Sequence, residues 1–362
     1  MAKKDNYFTD LVKTTGNSYA ALASEGIEAG DINGFIPTGS YMLNAILSGS
    51  IYGGLPDNKI TAIAGEEATG KTYLVLDICK FFLNQNPEAG VLYFETESAI
   101  TKQTLEERGI DTSRVAIIPV TTVQEFRTQM LKIIEKYLTQ SKSERKPIMF
   151  VLDSLGMLST TKEMEDSVAG SETKDMTRAG IIKAAFRTIT LKLGRAGIPL
   201  VVTNHTYDEQ GKMFSQKVMS GGSGLKYAAS SILFLSKAKD KDAQGVVGNI
   251  ITVTNKKGRL TKENAQIKIS LNYETGMNPY YGLLELGEKY GLFKKVSNKY
   301  EVNGVQAFEK HILKNPEKFF TKDILDKLDV CARNEFYYGL KKKNFNDVET
   351  GETEEDYEDG DE

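Results

Sequence analysis

The chain contains one short motif whose residue types and spacing suit it to phosphate binding. Residues 65–72 read Gly-Glu-Glu-Ala-Thr-Gly-Lys-Thr, a complete G-x-x-x-x-G-K-S/T phosphate loop between a β-prone run and a helix-forming run. The glycines let backbone N–H groups face an anion, and the dipole of the following helix adds to the attraction. We therefore predict an ATP site with Mg²⁺, in which Lys71 reaches the β- and γ-phosphates and Thr72 binds the metal. The predicted nucleotide-binding residues here are Gly65, Glu66, Glu67, Ala68, Thr69, Gly70, Lys71, Thr72 and Tyr73.

Carboxylates follow two other apolar runs. Residues 148–152 form a strand candidate that leads into Asp153, and residues 91–94 form another that is followed by Glu95 and Glu97. Beside a phosphate loop, Asp153 is placed to bind the nucleotide's Mg²⁺, although a strand-end acid can also simply cap a turn. One of the two glutamates is placed to orient and deprotonate the attacking water, and their spacing alone does not choose between them.

A polar pair follows a third apolar run, residues 198–203. Asn204 and His205 are placed to sense a γ-phosphate and to pass its presence on to the polar segment behind them. His205 is one of only two histidines, and a lone histidine is more often a hydrogen-bonded structural residue. Both interpretations of His205 stay open from the residues alone.

The elements that must position these residues alternate between strand and helix. This alternation predicts an α/β fold with a mostly parallel central sheet, helices on both faces and antiparallel strands at one edge, where short Gly- and Asn-containing links join the last strands. The predicted strands are 60–64, 91–94, 115–119, 148–152, 198–203, 231–236, 250–254 and 267–271, and the predicted helices are 73–85, 101–109, 123–139 and 177–196.

The predicted organisation surrounds this core with smaller parts. Two polar segments inside the core are too long for simple connections, and such loops are usually functional or disordered. The predicted parts are an N-terminal arm (1–34), the core (35–285) with its polar segments 156–176 and 206–226, a small C-terminal helical module (286–345) with helices at 308–314, 322–328 and 334–343, and a disordered acidic tail (346–362).

Composition and charge narrow the class of protein. No run approaches ~18 apolar residues and no apolar signal core opens the chain, so we expect a cytoplasmic protein without a membrane partner. The two cysteines cannot form a disulfide framework or a zinc site. The net charge is −3, but residues 346–362 carry ten acidic and no basic residues, which leaves 46 basic against 39 acidic residues elsewhere. This asymmetry fits a polyanion-binding surface with a competing tail, or a merely solubilising tail.

In order along the chain, these motifs resemble the RecA/Rad51 recombinase family, and within it the bacteriophage UvsX-type recombinases. The resemblance runs from about residue 35 to residue 290, and only the phosphate loop is specific by itself. The other blocks that carry it are 36–40 with 53–56, 93–97, 151–156, 204–207, 221–224 and 276–284.

The resemblance implies roles that spacing could not assign. It makes Glu97 the catalytic base and makes Asn204-His205 the switch that couples the ATP state to DNA binding, although bacterial RecA proteins usually carry glutamine where this chain has His205. Segments 156–176 and 206–226 correspond to the family's two DNA-binding loops, in which any single lysine could equally be a solvated surface charge. The implied DNA-contacting residues are Lys162, Lys174, Arg178, Lys212, Lys217, Gly221, Gly222 and Lys226.

In this family ATP binds between neighbouring subunits, and basic residues reach it from the next protomer. Lys257 and Arg259 align best with those residues, with Lys256 as the alternative, and they would neutralise charge on the transferring phosphoryl group. Tyr273 or the turn at Gly276 resembles the wall that packs against adenine. Base specificity stays open, because threonines stand where bacterial RecA commonly frames the base with an acid and a tyrosine, at Thr101 and Thr104.

The resemblance thus implies an ATP-dependent recombinase that forms helical filaments on single-stranded DNA and pairs it with homologous double-stranded DNA. The implied partners also include further copies of the chain, a mediator or loading protein and a single-strand binding protein. A phage protein of this kind would act in the bacterial host cytoplasm. A ring-forming helicase or motor, and a non-catalytic recombination mediator, remain as alternatives.

Overall fold

The computed structural model of the protein describes residues 7–17, 19–171, 175–208, 217–242 and 245–339. No helix within these ranges is long and apolar enough to cross a membrane. The described strands are β1 (Phe35–Ile36), β2 (Leu55–Pro56), β3 (Ile60–Gly65), β4 (Gly90–Glu95), β5 (Val115–Pro119), β6 (Ile148–Asp153), β7 (Leu200–Asp208), β8 (Lys217–Met219), β9 (Ser231–Asp242), β10 (Gly245–Gly258), β11 (Gln266–Asn272), β12 (Gly276–Met277), β13 (Lys294–Val296), β14 (Lys299–Val302) and β15 (Val305–Phe308). The described helices are α1 (Tyr7–Thr14), α2 (Tyr41–Ser48), α3 (Lys71–Gln85), α4 (Lys102–Glu107), α5 (Val123–Leu138), α6 (Thr161–Val168), α7 (Arg178–Ala196), α8 (Ser223–Ala228), α9 (Leu283–Lys289), α10 (Glu309–Lys314), α11 (Pro316–Phe319) and α12 (Lys322–Phe336).

Within the described residues, the central sheet has ten strands, nine of them in the order β12-β11-β10-β9-β3-β7-β6-β4-β5. The six strands from β9 to β5 run parallel, while β10, β11 and β12 continue antiparallel at one edge and β8 pairs antiparallel with β7. The predicted mixed α/β sheet is therefore confirmed. The register sets Gly65 beside His205, and Glu95 beside Asp153, so four predicted site residues share the carboxyl edge of the sheet.

Two apolar layers cover the sheet. One layer packs α2, α3 and the C-terminal elements against one face, and the other packs α5 and α7 against the opposite face. In the second layer Phe94 meets Phe126 and Phe150 with ring centroids 5.0 and 6.0 Å apart. Helix α5 forms because the Thr122 hydroxyl accepts a hydrogen bond from the N–H of Glu125, and because apolar residues recur on one face. Those buried residues are Val123, Phe126, Met130 and Ile134.

The N-terminal arm has two different parts. Helix α1 buries no residue. Further on, the Lys59 ammonium donates to the carbonyls of Ala29 and Gly30 at 3.1 and 2.7 Å, and the Arg195 guanidinium lies 4.0 Å from the Tyr19 ring centroid. The second part of the arm is thus attached to its own core. The family resemblance also implies that the arm 1–34 docks on a neighbouring protomer, and this stays a prediction.

The two polar segments of the core are more structured than predicted. Segment 156–176 contains α6, which begins at a capping box in which Thr160 and Glu163 satisfy each other's backbone N–H groups. In segment 206–226, strand β7 continues to Asp208, β8 returns beside it, and α8 follows. Helical and strand hydrogen bonds therefore satisfy backbone groups in segments that composition alone marked as loops.

The C-terminal module, which was predicted to be helical, also contains the antiparallel sheet β13-β14-β15, so the prediction was wrong in leaving out strands. The signal was present: Asn303 and Gly304 have φ of +52° and +75° and connect β14 to β15, as Asn-Gly does in tight hairpins. The predicted helices 322–328 and 334–343 were also wrong as separate elements. A single helix, α12, spans Lys322–Phe336, with buried residues Ile324, Leu328, Cys331, Ala332 and Phe336 on one stripe. Residues 340–343 and the predicted acidic tail lie outside the described residues.

The packing of the second apolar layer is testable at Phe126. We expect Phe126→Ala to lower the free energy of unfolding by about 3–5 kcal/mol, because it leaves a cavity beside Phe94 in a fully buried site. Denaturant titration followed by circular dichroism measures the change. The matched control Phe8→Ala, at a ring that is 62% exposed, should stay within about 0.5 kcal/mol of the wild type. A loss below about 1 kcal/mol for Phe126→Ala would contradict this packing.

Candidate active site and nucleic-acid interface

The phosphate loop wraps around an almost buried ammonium group. The Nζ of Lys71 donates to the carbonyls of Gly65 and Glu66 at 3.1 and 2.8 Å, at the start of α3. Burial lowers the pKa of Lys71, and the nearby carboxylates of Asp153 and Glu97 oppose that shift. Among the described residues, only neutral carbonyls contact the ammonium directly, so an anion in the loop would give it a charged direct partner.

The curvature of the loop depends on its first glycine and on left-handed backbone. Ala68 and Gly70 have φ of +54° and +92°, the conformations that turn successive N–H groups inward. A Cβ on Gly65 would lie 2.6 Å from the Thr69 hydroxyl and 3.0 Å from the carbonyl of Leu235. A side chain at position 65 would therefore displace the Thr69 hydroxyl and crowd the Leu235 carbonyl, which explains the preference for glycine here.

Asp153 connects the phosphate loop to the neighbouring strands. Its Oδ2 accepts hydrogen bonds from the hydroxyls of Thr72 at 2.8 Å and Tyr93 at 2.7 Å, and its Oδ1 accepts one from Thr203. Desolvation, followed by the charge of Asp153, raises the pKa of Tyr93 well above its usual value, so this phenol stays a donor. As a whole residue, Asp153 is 7% exposed.

The residues around Asp153 fit a nucleotide-bound magnesium ion. Within the described ranges, no group of three or more His, Cys, Asp or Glu could hold a metal by itself. Mg²⁺ normally keeps waters and binds through one or two protein oxygens plus substrate phosphates. The Thr72 hydroxyl and the Asp153 carboxylate, 2.8 Å apart, supply that kind of oxygen pair.

The two candidate glutamates have different environments. The Glu95 carboxylate accepts hydrogen bonds from the backbone N–H groups of Glu97, Ser98 and Ala99 at 3.0, 2.7 and 2.9 Å, so it holds the turn after β4. The Glu97 side chain is 37% exposed and accepts one hydrogen bond from the Ser154 hydroxyl at 2.8 Å. The geometry therefore gives Glu95 a structural role and leaves Glu97 available for a substrate.

Asn204 and His205 link this edge to the second polar segment. The amide of Asn204 donates to the carbonyl of Ser220 at 2.9 Å, and its Oδ1 accepts from the Ser220 hydroxyl. The Nε2 of His205 lies 3.5 Å from the Glu97 carboxylate. His205 thus lies beside the candidate catalytic base, and Asn204 is hydrogen-bonded to Ser220, directly after β8.

The predicted DNA-contacting residues fall into several environments. Lys162 is exposed on α6, whereas Arg178 donates to the carbonyls of Gly156 and Leu158 at 3.0 and 2.7 Å and so holds the first segment together. Lys226 is exposed on α8. Lys217 forms ion pairs with Glu66 and Asp208. Gly221 and Gly222 have φ of +82° and +72°. Lys174 and Lys212 lie outside the described residues.

The structure adds basic residues that the sequence prediction missed. A groove of about 610 Å³ is lined by Lys59, Lys183 and Arg187, which the prediction missed, and by Arg259, which it assigned to the protomer interface. No carboxylate lines the groove in the described part of the chain. Lys183 and Arg187 are four residues apart on α7, so they share one helix face. This four-residue spacing could have indicated a basic groove in the sequence, but it is equally typical of a solvent-exposed helix face. The groove adjoins α8 at Gly224 and Tyr227.

The residues predicted to act across a protomer interface lie far from their own phosphate loop. Gly258 of β10 pairs with Ser231, while Gly65 is level with Leu235, four residues further along the parallel strands. At about 3.3 Å per residue, this separates Gly258 from Gly65 by about 13 Å along the sheet. The Nζ of Lys257 donates to the carbonyl of Lys226 at 2.7 Å, and Arg259 is exposed in the basic groove.

Near the phosphate loop, Tyr73 is covered by a residue that sequence reasoning missed. The Arg108 guanidinium lies 3.9 Å from the centroid of the Tyr73 ring. A Cβ on Gly276 would lie 2.6 Å from the Tyr73 hydroxyl, so the turn at β12 abuts this ring. Tyr273 is 64% exposed, and its hydroxyl is 3.3 Å from the Asn249 amide. The hydroxyls of the predicted base-proximal threonines, Thr101 and Thr104, hydrogen-bond each other at 2.8 Å.

The sheet, the phosphate loop and the strand-end carboxylate together define a P-loop nucleotide-binding protein of the α/β class. The family model of the RecA N-terminal domain matches residues 14–278, and the chain belongs to this family. The predicted RecA resemblance is therefore confirmed.

Individual relatives agree with this family. The chain is 32% identical over 257 residues to the recombination and repair protein of Enterobacteria phage T4, across 71% of this chain and 64% of that protein's length. It is 27% identical to Protein RecA of Nocardia farcinica over 326 residues, across 89% of this chain and 87% of the relative. Protein RecA of Cutibacterium acnes matches at 27% over 274 residues, across 75% of this chain and 74% of the relative. The chain is thus homologous to a phage recombination and repair protein and to bacterial RecA proteins.

The different environments of the two glutamates generate a prediction. We expect Glu95→Gln to lower the free energy of unfolding by about 1–3 kcal/mol, because an amide cannot accept all three backbone hydrogen bonds that the carboxylate accepts. Glu97→Gln should stay within about 0.5 kcal/mol of the wild type. Denaturant titration of both variants measures the difference, and equal losses would contradict the assignment.

Proposed function

We propose that the protein is a DNA-dependent ATPase and DNA strand-exchange recombinase. It would assemble as a helical filament on single-stranded DNA with ATP and Mg²⁺, and pair that strand with homologous double-stranded DNA. One observation carries the proposal: the phosphate loop, the Asp153 carboxylate and Glu97 share a sheet edge with Asn204, which is bonded to the segment predicted to bind DNA.

The residues of the site support hydrolysis of ATP. Lys71 would exchange its carbonyl partners for the β- and γ-phosphates, which offsets the unfavourable burial of its charge. Glu97 would accept a proton from the attacking water, and the Ser154 hydroxyl orients its carboxylate. Thr72 and Asp153 would hold Mg²⁺, which supplies positive charge to the phosphates when bound.

The basic surfaces support binding of DNA through its backbone. Lys162 and Lys226 belong to the two proposed DNA-binding loops, and the groove along α7 adds Lys183 and Arg187. Contacts of this kind neutralise phosphates without reading bases, so the affinity should fall steeply with salt. Gly221 and Gly222 would let the backbone approach the strand closely.

The position of Lys257 and Arg259 supports assembly of many copies. Because these residues lie about 13 Å along the sheet from the level of their own phosphate loop, they are better placed to reach a nucleotide held by a neighbouring copy. The ATP would then lie at the interface between protomers, where added positive charge would stabilise the transferring phosphoryl group. Tyr273 and the turn at Gly276 would face the base beside Tyr73.

The wider cellular context of this proposal follows from homology. The arm 1–34, the core 35–285 and the module 286–345 are proposed as its functional parts, with 346–362 as an acidic tail. A mediator or loading protein and a single-strand binding protein are proposed partners, and the bacterial host cytoplasm is the proposed place of action if the gene belongs to a phage. A ring helicase and a non-catalytic mediator remain the rival functions.

A pair of substitutions tests the catalytic proposal. We expect Glu97→Gln to lower DNA-stimulated ATP hydrolysis by about 10²–10⁴-fold while nucleotide binding persists, because it removes the base but not the phosphate contacts. Lys71→Ala should abolish both nucleotide binding and strand exchange. The measurements are phosphate release with and without single-stranded DNA, and joint-molecule formation on gels.

The control for these measurements is Val305→Ala, which changes an exposed side chain of β15 that is assigned to no nucleotide, DNA or protomer contact. If Glu97→Gln and Lys71→Ala changed neither ATP hydrolysis nor joint-molecule formation, the site assignment would be overturned and a non-catalytic mediator would be favoured. Unwinding of duplex DNA without strand exchange would favour the helicase.

A further inference from the structure

Strands β7 and β8 form an antiparallel strand pair, called the hairpin below, whose connecting residues 209–216 lie outside the described residues. Asp208 pairs with Lys217 in this hairpin, and the N–H of Ser220 donates to the carbonyl of His205 at 3.1 Å. The end of the hairpin is therefore attached to the strand that carries the γ-phosphate-sensing pair. Its side chains also make a second, separate contact with the nucleotide site.

That second contact is an ion pair between the hairpin and the phosphate loop. The Nζ of Lys217 donates to the Glu66 carboxylate and, at 3.2 Å, to Asp208. These hydrogen bonds raise the pKa of Lys217. One ammonium thus faces two carboxylates, and one of these belongs to the loop that would hold the triphosphate.

The ion pair uses the one charge that Lys217 could offer to DNA. While its ammonium faces Glu66 and Asp208, neutralising a DNA phosphate would require Lys217 to leave at least one carboxylate. We propose that the Glu66–Lys217 ion pair is a coupling contact that withholds Lys217 from DNA until nucleotide fills the phosphate loop. This inference rests on the proposed recombinase function.

The direction of the effect follows from what nucleotide does to residue 66. A triphosphate in the loop repels the Glu66 carboxylate and attracts the Lys217 ammonium, and Lys71 would leave the Glu66 carbonyl, 2.8 Å away, for the phosphates. Glu66 would therefore turn away from Lys217, which loses one of its two carboxylate partners. The Nζ of Lys237 donates to the carbonyl of Ala68 at 2.7 Å and restrains the loop backbone, whereas the Glu66 side chain is 60% exposed and can turn away. Thermodynamic linkage then requires that DNA binding at Lys217 also favours nucleotide binding by the same factor. Because the ion pair is exposed and therefore weak, we expect it to shift the DNA affinity by a small factor and not to act as an all-or-none switch.

The test measures binding of a fluorescent single-stranded oligonucleotide by anisotropy, with and without a slowly hydrolysed ATP analogue at saturation. The coupling factor is the ratio of the two affinities. We expect Glu66→Gln to tighten nucleotide-free DNA binding by about two- to five-fold and to reduce the coupling factor accordingly. Lys217→Gln should weaken DNA binding with nucleotide present and reduce the salt slope by about 0.7.

The double variant separates this contact from general charge effects. In a Lys217→Gln background, Glu66→Gln should no longer change the coupling factor. The matched control is Glu88→Gln, which removes the same charge from another exposed ion pair, that of Glu88 with Lys146, outside the nucleotide site and the two polar segments, and it should keep the wild-type coupling factor.

The inference would be overturned if Glu66→Gln left the coupling factor unchanged, or if it changed the coupling factor equally in the Lys217→Gln background. Either result would leave the proposed function intact. A wild-type protein that shows no nucleotide-stimulated DNA binding would instead overturn the proposed function, and the inference with it.

Discussion

The site depends on the carboxylate of Asp153, which joins three elements of the core. It accepts hydrogen bonds from Thr72 of α3, Tyr93 of β4 and Thr203 of β7. Asp153 can do this because it ends β6, and parallel strands bring their carboxyl ends to one edge of the sheet. A buried charge of this kind is stable only when its oxygens are satisfied, so the same contacts that hold the carboxylate also fix the phosphate loop beside it.

Much of this arrangement could be predicted because its determinants are local. The phosphate loop needs glycine at position 65 for steric reasons, and buried parallel strands appear in sequence as short apolar runs. The roles of Glu95 and Glu97 could not be separated by spacing, because only the turn after β4 decides which carboxylate meets backbone N–H groups. Lys183 and Arg187 were missed because a basic helix face looks the same whether it meets solvent or lines a groove. The β14–β15 hairpin was missed despite its Asn303-Gly304 signal.

The sheet also separates the two charged regions of the protein. The phosphate loop lies at the carboxyl edge, while the basic groove reaches Lys59 and Ser230, at the start of β3 and β9. Arg259 belongs to that opposite edge. A single copy therefore keeps part of its positive charge away from its own phosphate loop. In a repeating head-to-tail assembly, that charge would lie beside the phosphate loop of the next copy. The proposed filament follows from this separation together with the homology to RecA proteins.

The most direct test of this account is negative-stain electron microscopy of the protein with single-stranded DNA and a slowly hydrolysed ATP analogue. The account predicts continuous helical filaments that require both the DNA and the nucleotide, and that fail to form with Lys71→Ala. Closed rings would contradict it in favour of a motor, and dispersed particles on the DNA would contradict it in favour of a mediator.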